Sequence, residues 1–299
     1  MMAEQRQAAL RGELMENEAM SRHTSWRVGG PAERLYKPAD LDDLALFLSQ
    51  LTTDEPLFWL GLGSNLLVRD GGIRGTVILT TNLLAEMERL EGNVVRAEAG
   101  VPCAKVARFC ARQGLVGVEF LAGIPGTMGG ALAMNAGAFG GETWDKVVAV
   151  ETLDRRGQRH LRRPDEYEVA YRHVHGPQDE WFVAAHLQLE TGDTESGRQR
   201  IRELLDKRGA SQPTKEANAG SVFRNPQGDH SARLIEHCGL KGHCIGKACV
   251  SDKHANFIIN TGGASAAQIE ALIEEVAAIV KDKTGITLQR EVRIVGEPV

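Results

Sequence analysis

The strongest constraint on this chain is a glycine-rich segment at residues 123–142, which reads GIPGTMGGALAMNAGAFGGE. Seven of its twenty residues are glycine, the rest are mostly small, and charge is almost absent. Glycine lets backbone approach a ligand closely, with N–H groups free to meet oxygen atoms. A flexible linker would carry serine and charge and would lack Ile124, Met128 and Phe139. The segment therefore predicts a buried ligand-binding loop.

Two common nucleotide-binding motifs are absent from the sequence. The spacing of Gly123, Gly126 and Gly129 does not match the dinucleotide fingerprint G-x-G-x-x-G. A phosphate-binding P-loop is also missing, because the only Gly-Lys pair, at residues 246–247, is followed by alanine. We therefore expect another fold to hold the ligand.

Length and composition describe a globular protein of two or three lobes. The chain has 299 residues, 42% hydrophobic and 25% charged, with a net charge of −5. An acidic balance gives no general attraction to nucleic acid or to anionic membranes. Residues 1–21 mix Glu and Arg without a signal-peptide core and predict a helical or frayed leader, so we expect a cytoplasmic protein without membrane insertion.

Five cysteines raise the question of a zinc site, since three of them lie with His237 and His243 in residues 237–249. That cluster has no Cys-x-x-Cys pair and does not match the usual spacing of structural zinc ligands. Ordinary buried thiols are the expected state, without a metal and without a disulfide.

Periodicity divides the remainder of the chain into three lobes. Residues 22–82 predict a small α/β lobe, and residues 83–194 predict a mostly antiparallel sheet around the glycine-rich segment. Residues 195–299 predict a third lobe with two amphipathic helices and a closing strand at 288–295. The fold class is therefore α+β.

Two glycine loops are candidates for one binding site. Residues 61–65 (GLGSN) follow a predicted strand in the first lobe, as residues 123–142 do in the second. Both offer backbone N–H groups to a diphosphate, and Ser64, Asn65 and Thr127 add side-chain hydrogen bonds, as does Asn135. Two tight turns are the alternative, but a pair of such loops in adjacent lobes favours one long ligand held between them.

Three polar residues are candidates for chemistry. Arg172 follows a strand-like run and is suited to pairing a carboxylate, unless it is a surface arginine. Ser221 ends a loop of small residues, where a hydroxyl either meets a ligand or caps a turn. Glu291 lies in the predicted last strand between Arg290 and Arg293, where an edge ion pair is the ordinary interpretation.

Taken in order, seven segments strongly resemble the UDP-N-acetylenolpyruvoylglucosamine reductases, flavoenzymes of peptidoglycan precursor synthesis. The segments are residues 61–65 (GLGSN), 123–130 (GIPGTMGG), 134–138 (MNAGA), 171–172 (YR), 219–226 (AGSVFRNP), 253–257 (KHANF) and 290–296 (REVRIVG). The resemblance covers about residues 20–297 and implies a two-part FAD-binding unit of the vanillyl-alcohol-oxidase (PCMH) type. A C-terminal substrate-binding domain would follow it.

The resemblance also implies the reaction and its residues. NADPH would reduce dissociable FAD, and hydride would pass from flavin N5 to the enolpyruvyl group of a UDP-sugar in the same cleft. Arg172 and Glu291 would stabilise the enolate-like carboxylate, and Ser221 would donate the proton. The implied FAD-binding residues are Gly61, Gly63, Ser64, Asn65, Gly123, Pro125, Gly126, Thr127, Gly129, Asn135, Ala136, Gly137 and Arg293. The implied substrate-binding residues are Tyr171, Arg224, Asn225 and His254.

Two features of this chain limit how far the residue roles of the family can be assigned to it. Only 49 positions separate Arg172 from Ser221, which indicates the shorter branch of the family. Many relatives have Lys or Thr where this chain has Ser211 before Gln-Pro, so Arg208 or Lys215 would have to bind the diphosphate. A monomer is the expected assembly.

Two other functions remain open from the sequence. One is a different FAD-dependent oxidoreductase of the same fold. However, neither glycine loop has the His or Cys that anchors FAD covalently in several such enzymes. The other is a non-catalytic nucleotide-binding protein, which would need none of the three candidate polar residues.

Overall fold

The structure, a computed structural model, describes residues 9–299 and contains six α-helices and twenty strands within that range. The helices are α1 (Leu41–Gln50), α2 (Cys103–Arg112), α3 (Met128–Ala133), α4 (Thr194–Ser211), α5 (Ser231–His237) and α6 (Ala266–Thr284). The first ten strands are β1 (Glu13–Ala19), β2 (Pro31–Lys37), β3 (Leu57–Leu60), β4 (Leu66–Val68), β5 (Ile73–Leu79), β6 (Met87–Arg89), β7 (Val94–Glu98), β8 (Leu115–Val116), β9 (Gly137–Ala138) and β10 (Gly141–Glu142). The others are β11 (Val147–Asp154), β12 (Arg159–Arg162), β13 (Glu168–Ala170), β14 (His173–His175), β15 (Glu180–Gln188), β16 (Glu190–Thr191), β17 (Cys244–Ile245), β18 (Ala248–Val250), β19 (Ile258–Asn260) and β20 (Arg293–Val295).

The first sheet has the strand order β1-β2-β5-β3, with β2, β5 and β3 parallel. Helix α1 packs on it and begins at Asp40, whose carboxylate accepts the N–H of Asp43 at 2.9 Å. Phe47 of α1 stacks on Tyr36 with ring centroids 3.7 Å apart. The same buried cluster includes Leu153 and Val183 of the second sheet, so the two sheets share apolar core.

The second sheet is antiparallel, in the order β12-β11-β15-β7-β6. Helices α2 and α3 bury their apolar faces beside it, in a cluster that includes Val106, Leu132 and Val150. Trp144 closes this core by donating its indole N–H to the carbonyl of Leu132 at 2.8 Å. The sheet confirms the antiparallel pattern predicted from the sequence, and the α+β class is also confirmed.

The C-terminal part packs around α6. This helix begins with a capping box, in which the Ser265 hydroxyl accepts the N–H of Gln268, and ends at Gly285 in the left-handed conformation. Ile269, Leu272 and Val276 lie on its buried face, at helical spacing.

The C-terminal part contacts residues 22–82 at several points outside the first sheet. Strand β20 pairs parallel to β4. Trp26 donates its indole N–H to the carbonyl of Ile258 at 2.7 Å. The Asp70 carboxylate accepts the first N–H groups of α6, from Ala266 at 3.0 Å and Ala267 at 2.9 Å. The C-terminal part is thus tied directly to the loop region next to residues 61–65.

The prediction of a helical or frayed leader is wrong for residues 13–19, which form β1 antiparallel to β2. The sequence ELMENEA favours helix locally, but the free edge of β2 offers it a complete hydrogen-bonding partner. Arg11 adds a contact by donating its backbone N–H to Asp43 at 2.6 Å. Residues 1–8 of the predicted leader lie outside the described residues.

Two smaller predictions about the C-terminal part are also corrected. The predicted last strand, 288–295, is reduced to Arg293–Val295, and Glu291 precedes it next to a single bridge between Phe223 and Arg290. Cys244 and Cys249 were expected as buried thiols, but they lie opposite each other on β17 and β18 and form a disulfide. Cys103, Cys110 and Cys238 are buried and free.

No helix within residues 9–299 has the length and apolar character needed to cross a membrane.

Candidate active site

A cleft of about 430 Å³ lies where both glycine loops face the C-terminal part of the chain. Residues 61–65 form one wall, and residues 123–127 with Gly130, Ala131 and Ala133 of α3 form another. The third wall contains residues 219–221, Glu291 and Arg293. Segments far apart in sequence therefore meet at one site.

Thr127 marks the point where the two loops touch. Its side chain is buried, and its Oγ1 has no hydrogen-bond partner within residues 9–299. A Cβ added at Gly61 would lie 2.4 Å from this oxygen, so only glycine allows the loops to come so close. A buried hydroxyl without a partner costs about 1–3 kcal/mol. A polar ligand in the cleft would satisfy it, which fits a cofactor diphosphate.

The glycines of the loops serve two separate purposes. Gly63 has a φ of +65°, and a Cβ there would lie 2.2 Å from the carbonyl oxygen of His23. A Cβ at Gly123 would lie 2.4 Å from the ring of Phe139. In contrast, a Cβ at Gly126 would meet nothing nearer than the Ser64 hydroxyl at 3.6 Å. The first two glycines permit packing within the protein, whereas Gly126 keeps space open in the cleft.

Most of the expected FAD-binding residues line the cleft. They are Gly61, Gly63, Ser64, Asn65, Gly123, Pro125, Gly126, Thr127, Ala136, Gly137 and Arg293. Gly129 and Asn135 lie behind its wall. A Cβ at Gly129 would lie 2.9 Å from the Cβ of Ala99. The buried Asn135 amide donates to Glu142 at 2.8 Å and accepts the N–H of Trp144 at 3.1 Å. Their positions indicate a structural contribution.

Arg172, Ser221 and Glu291 all line the same cleft. Arg172 is at the tip of the β13–β14 hairpin with a φ of +55°, and its Nε lies 2.8 Å from Glu291 Oε1. The Nε–H is not directed at that oxygen, so the contact is an ion pair without an aligned hydrogen bond. The structure therefore brings the three candidate polar residues together.

Glu291 is held in a largely buried position. Its side chain is 10% exposed, and burial raises the pKa of this carboxyl above its usual value. The positive charges of Arg172 and Arg224 act in the opposite direction and partly offset the effect of burial on the pKa. Burial is the largest of these influences, so the net direction of the pKa shift is upward.

The four expected substrate-binding residues do not line the cleft directly. Tyr171 is 51% exposed beside Arg172, whose guanidinium lies 5.4 Å from the Tyr171 ring centroid. Asn225 accepts the N–H of Ser231 at 3.1 Å, at the beginning of α5. His254 packs edge-on against Phe257 at 4.7 Å, and burial lowers its pKa. The Nε of Arg224 is buried without a hydrogen-bond partner within residues 9–299.

The cleft is also lined by Arg208 and Gln212 at the end of α4, of which Gln212 was not among the predicted residues. Arg208 donates from Nε to Gln212 Oε1 at 3.1 Å, and burial lowers the pKa of this guanidinium. The sequence had offered Arg208 and Lys215 as alternatives, and only Arg208 lines the cleft. Phe139 at the cleft mouth was missed, although its position between glycines of the β9–β10 turn was visible in the sequence.

No group of three or more His, Cys, Asp or Glu side chains within residues 9–299 is placed to hold a metal ion.

Comparison with known proteins gives the same family along nearly the whole chain. Residues 32–161 match the family described as FAD binding domain, and residues 212–295 match UDP-N-acetylenolpyruvoylglucosamine reductase, C-terminal domain. Two proteins named UDP-N-acetylenolpyruvoylglucosamine reductase, from Methylococcus capsulatus and Alkalilimnicola ehrlichii, are each 62% identical to this chain. The first alignment covers 97% of this chain and 95% of that protein, and the second covers 96% of each.

A solved structure agrees with these sequence matches. The crystal structure of UDP-N-acetylenolpyruvylglucosamine reductase from Thermus caldophilus superposes with a TM-score of 0.82 at 33% identity, covering 96% of this chain and 99% of that one. The matches confirm the predicted combination of an FAD-binding unit and a C-terminal domain. The chain belongs to the UDP-N-acetylenolpyruvoylglucosamine reductase family.

Proposed function

We propose that this protein reduces the enolpyruvyl ether of UDP-N-acetylglucosamine to UDP-N-acetylmuramate, with NADPH as reductant and non-covalent FAD as cofactor. The product is a peptidoglycan precursor, on which cell-wall growth, cell shape and division depend. The observation that carries the proposal is the meeting of Arg172, Ser221 and Glu291 in the cleft that both glycine loops line.

The FAD would lie against the two glycine loops, and when bound it supplies reversible two-electron redox chemistry. Ser64, Asn65 and the unsatisfied Thr127 hydroxyl would hold its polar groups, and Gly126 leaves room for it. The enolpyruvyl sugar nucleotide and NADPH would use the remainder of the cleft in turn. Arg208 would meet the diphosphate of the sugar nucleotide, because its charge lines the cleft and is largely buried.

The three polar residues would act on the enolpyruvyl group. Addition of hydride to its methylene carbon places negative charge on the adjoining carbon and carboxylate. Arg172 would stabilise that charge where it develops, and Glu291, either protonated or strongly hydrogen-bonded, would assist at the same carboxylate. Ser221 would give its proton to the carbon next to the carboxylate, which completes reduction of the double bond.

We further propose that residues 22–82 and 83–194 are the two parts of the FAD-binding unit and that residues 195–299 form the substrate-binding domain. Buried clusters centred on the two sheets and on α6 support this division. We also propose that the protein acts in the cytoplasm, where its nucleotide substrates are made. A monomer would suffice, because all three polar residues belong to one chain.

Anaerobic absorbance of the FAD-loaded protein tests the function. NADPH should bleach the oxidised flavin spectrum, and the enolpyruvyl ether of UDP-N-acetylglucosamine should then restore it. Bleaching without restoration would keep a flavin reductase but reject this substrate, in favour of another oxidoreductase of the same fold. A protein that binds no FAD would reject the proposal entirely and favour a nucleotide-binding protein.

A further inference from the structure

Arg224 and Glu291 lie on two segments that pair like antiparallel strands. Arg224 donates its backbone N–H to the carbonyl of Gln289 at 2.9 Å, and Glu291 donates its own to the carbonyl of Val222 at 2.8 Å. The bridge between Phe223 and Arg290 lies between these two hydrogen bonds.

This register places Arg224 and Glu291 on one face. Residues directly opposite each other in an antiparallel pair share a face, and so do residues two apart on one segment. Glu291 is opposite Val222, and Arg224 is two residues further along. The two side chains are therefore diagonal neighbours, a separation that a long arginine spans.

The side chain of Arg224 leaves one donor atom without a partner in the described part of the chain. Its Nε is buried and makes no hydrogen bond within residues 9–299. Its charge nevertheless acts on Glu291, since it is one of the two cations that lower the pKa of that carboxyl against the effect of burial. Arg224 is only partly buried, but a shielded donor without a partner is unusual and indicates a use in the site.

The other polar groups around Glu291 each have an identified contact or position. Arg172 approaches its carboxylate from the β13–β14 hairpin at 2.8 Å. Asn65 donates its amide to the Glu291 backbone carbonyl at 3.2 Å. Of the flanking arginines, Arg290 acts on the pKa of Glu270 on α6, and Arg293 lines the cleft. The charges of two cations therefore act on the Glu291 side chain: Arg172 lines the cleft, whereas Arg224 does not.

The net charge of Arg172, Arg224 and Glu291 indicates how this cluster accepts a carboxylate. Two guanidinium groups face one carboxylate, so the cluster carries one positive charge in excess when Glu291 is ionised. An incoming carboxylate brings the cluster to neutrality. Without Arg224, the same carboxylate would compete with Glu291 for the single cation Arg172, at a buried position where an unpaired charge is costly.

We propose that Arg224 is a positioning residue that stays beside Glu291 as its standing counter-charge while Arg172 moves from Glu291 to the carboxylate of the substrate. This inference rests on the proposed function for the identity of the carboxylate. Arg224 itself touches neither substrate nor cofactor, in keeping with its absence from the cleft lining.

Infrared difference spectra of the FAD-loaded protein, recorded during a pH titration without substrate, test the proposal directly. The protonated-carboxyl band of Glu291 is the band that Glu291→Gln removes. In Arg224→Gln its titration midpoint should move about one unit to higher pH, because a cation has been lost. Arg224→Lys should return the midpoint to that of the unaltered protein. Arg224→Met is a second neutral variant whose apolar chain fills similar space.

Kinetic measurements then test whether Arg172 moves from Glu291 to the carboxylate of the substrate. The neutral variants should raise the KM for the enolpyruvyl substrate about tenfold, with NADPH-driven flavin reduction changed less than about twofold. An unshifted midpoint in both neutral variants, or an equal loss of both half-reactions, would overturn the role of Arg224. Failure of the unaltered protein to reduce the substrate would reject the proposed function instead, and the substrate-free titration would still decide the coupling of Arg224 to Glu291.

Discussion

Asn256 holds both backbone groups of Phe223: its Oδ1 accepts the Phe223 N–H at 3.0 Å, and its Nδ2 donates to the Phe223 carbonyl at 2.8 Å. Asn256 is 3% exposed and Phe223 is 1% exposed, so water cannot replace either bond. The adjacent Val222 carbonyl in turn accepts the N–H of Glu291. One buried amide therefore fixes the position of Ser221 relative to Glu291.

Replacing Asn256 by Asp should destabilise the protein by about 2–3 kcal/mol, because the donor to the Phe223 carbonyl becomes a second acceptor. Thermal or urea unfolding of the variant measures the loss. Asn17→Asp makes the same chemical change at an exposed position of β1 and should leave stability within about 0.5 kcal/mol. Equal stability of the two variants would show that the contact between Asn256 and Phe223 does not matter.

Ser221→Ala should separate the two half-reactions. The hydroxyl lines the cleft beside Glu291, and its proposed task is protonation of the substrate, so NADPH should still reduce the flavin at near the normal rate. Reoxidation by the enolpyruvyl substrate should fall at least about a hundredfold, the usual contribution of a positioned proton donor. Stopped-flow absorbance resolves both steps, and an equal fall in the two rates would contradict a role in proton donation.

The glycine loops predict opposite results for two alanine variants. Gly63→Ala forces a Cβ to within 2.2 Å of the His23 carbonyl oxygen at a positive φ, so the protein should lose more than about 1 kcal/mol of stability even without FAD. Gly126→Ala meets no such contact and should leave the stability of the FAD-free protein unchanged. Its methyl group stands between the cleft-lining Ser64 and Ile124 and should weaken FAD binding. Unfolding and fluorescence titration of each variant check the contrast.

The sequence was sufficient for elements whose pattern is local. Helix α6 and the antiparallel sheet were predicted because helical or alternating spacing of apolar residues survives in any context. Strand β1 was missed because its local preference is helical, and it becomes a strand only by pairing with β2. The last strand was overextended because its pairing partner changes along its length, from Phe223 at Arg290 to β4 at residues 293–295.

The sequence predicted which residues belong to the candidate site better than it predicted where their side chains lie. The two glycine loops and the three polar residues have distinctive neighbours in the sequence, and the structure places them in one cleft. Spacing alone does not reveal that Asn135 faces Glu142 and Trp144, or that the segment of Arg224 pairs with that of Glu291 while Arg224 stays outside the cleft lining. These positions depend on which face of a short segment the chain turns toward the cleft.

A partly buried ion pair in the second sheet predicts a pH dependence of stability. Arg96 donates to both oxygens of Glu151, and this contact, with a smaller contribution from His186, lowers the pKa of Glu151 to about 2. A depressed pKa stabilises the fold above the pKa of the unfolded state, and that stabilisation is lost as pH falls through the folded value. Glu151→Gln should therefore cost roughly 2–3 kcal/mol at neutral pH and progressively less between about pH 4.5 and pH 2.

Urea unfolding at a series of pH values checks this sign. Glu88→Gln is the matched control, since Glu88 lies 4.0 Å from Arg96 and is 58% exposed. It should change stability by less than about 0.5 kcal/mol at every pH. A destabilisation of Glu151→Gln that stays constant as the pH falls would show that packing, and not charge, is responsible.

We expect Arg208 to strengthen binding of the sugar-nucleotide substrate and to lower the stability of the empty protein. Its guanidinium lines the cleft, and burial lowers its pKa without any opposing contribution from a carboxylate. A partly buried cation with no carboxylate partner within residues 9–299 costs free energy while the cleft is empty, so Arg208→Gln should leave the melting temperature of the FAD-free protein unchanged or raise it. The same change should raise the KM for the sugar-nucleotide substrate at least about tenfold, because the diphosphate loses its cation. Arg200→Gln, at an exposed position of the same helix, should alter neither quantity. A lower melting temperature with an unchanged KM would identify Arg208 as a structural residue of α4.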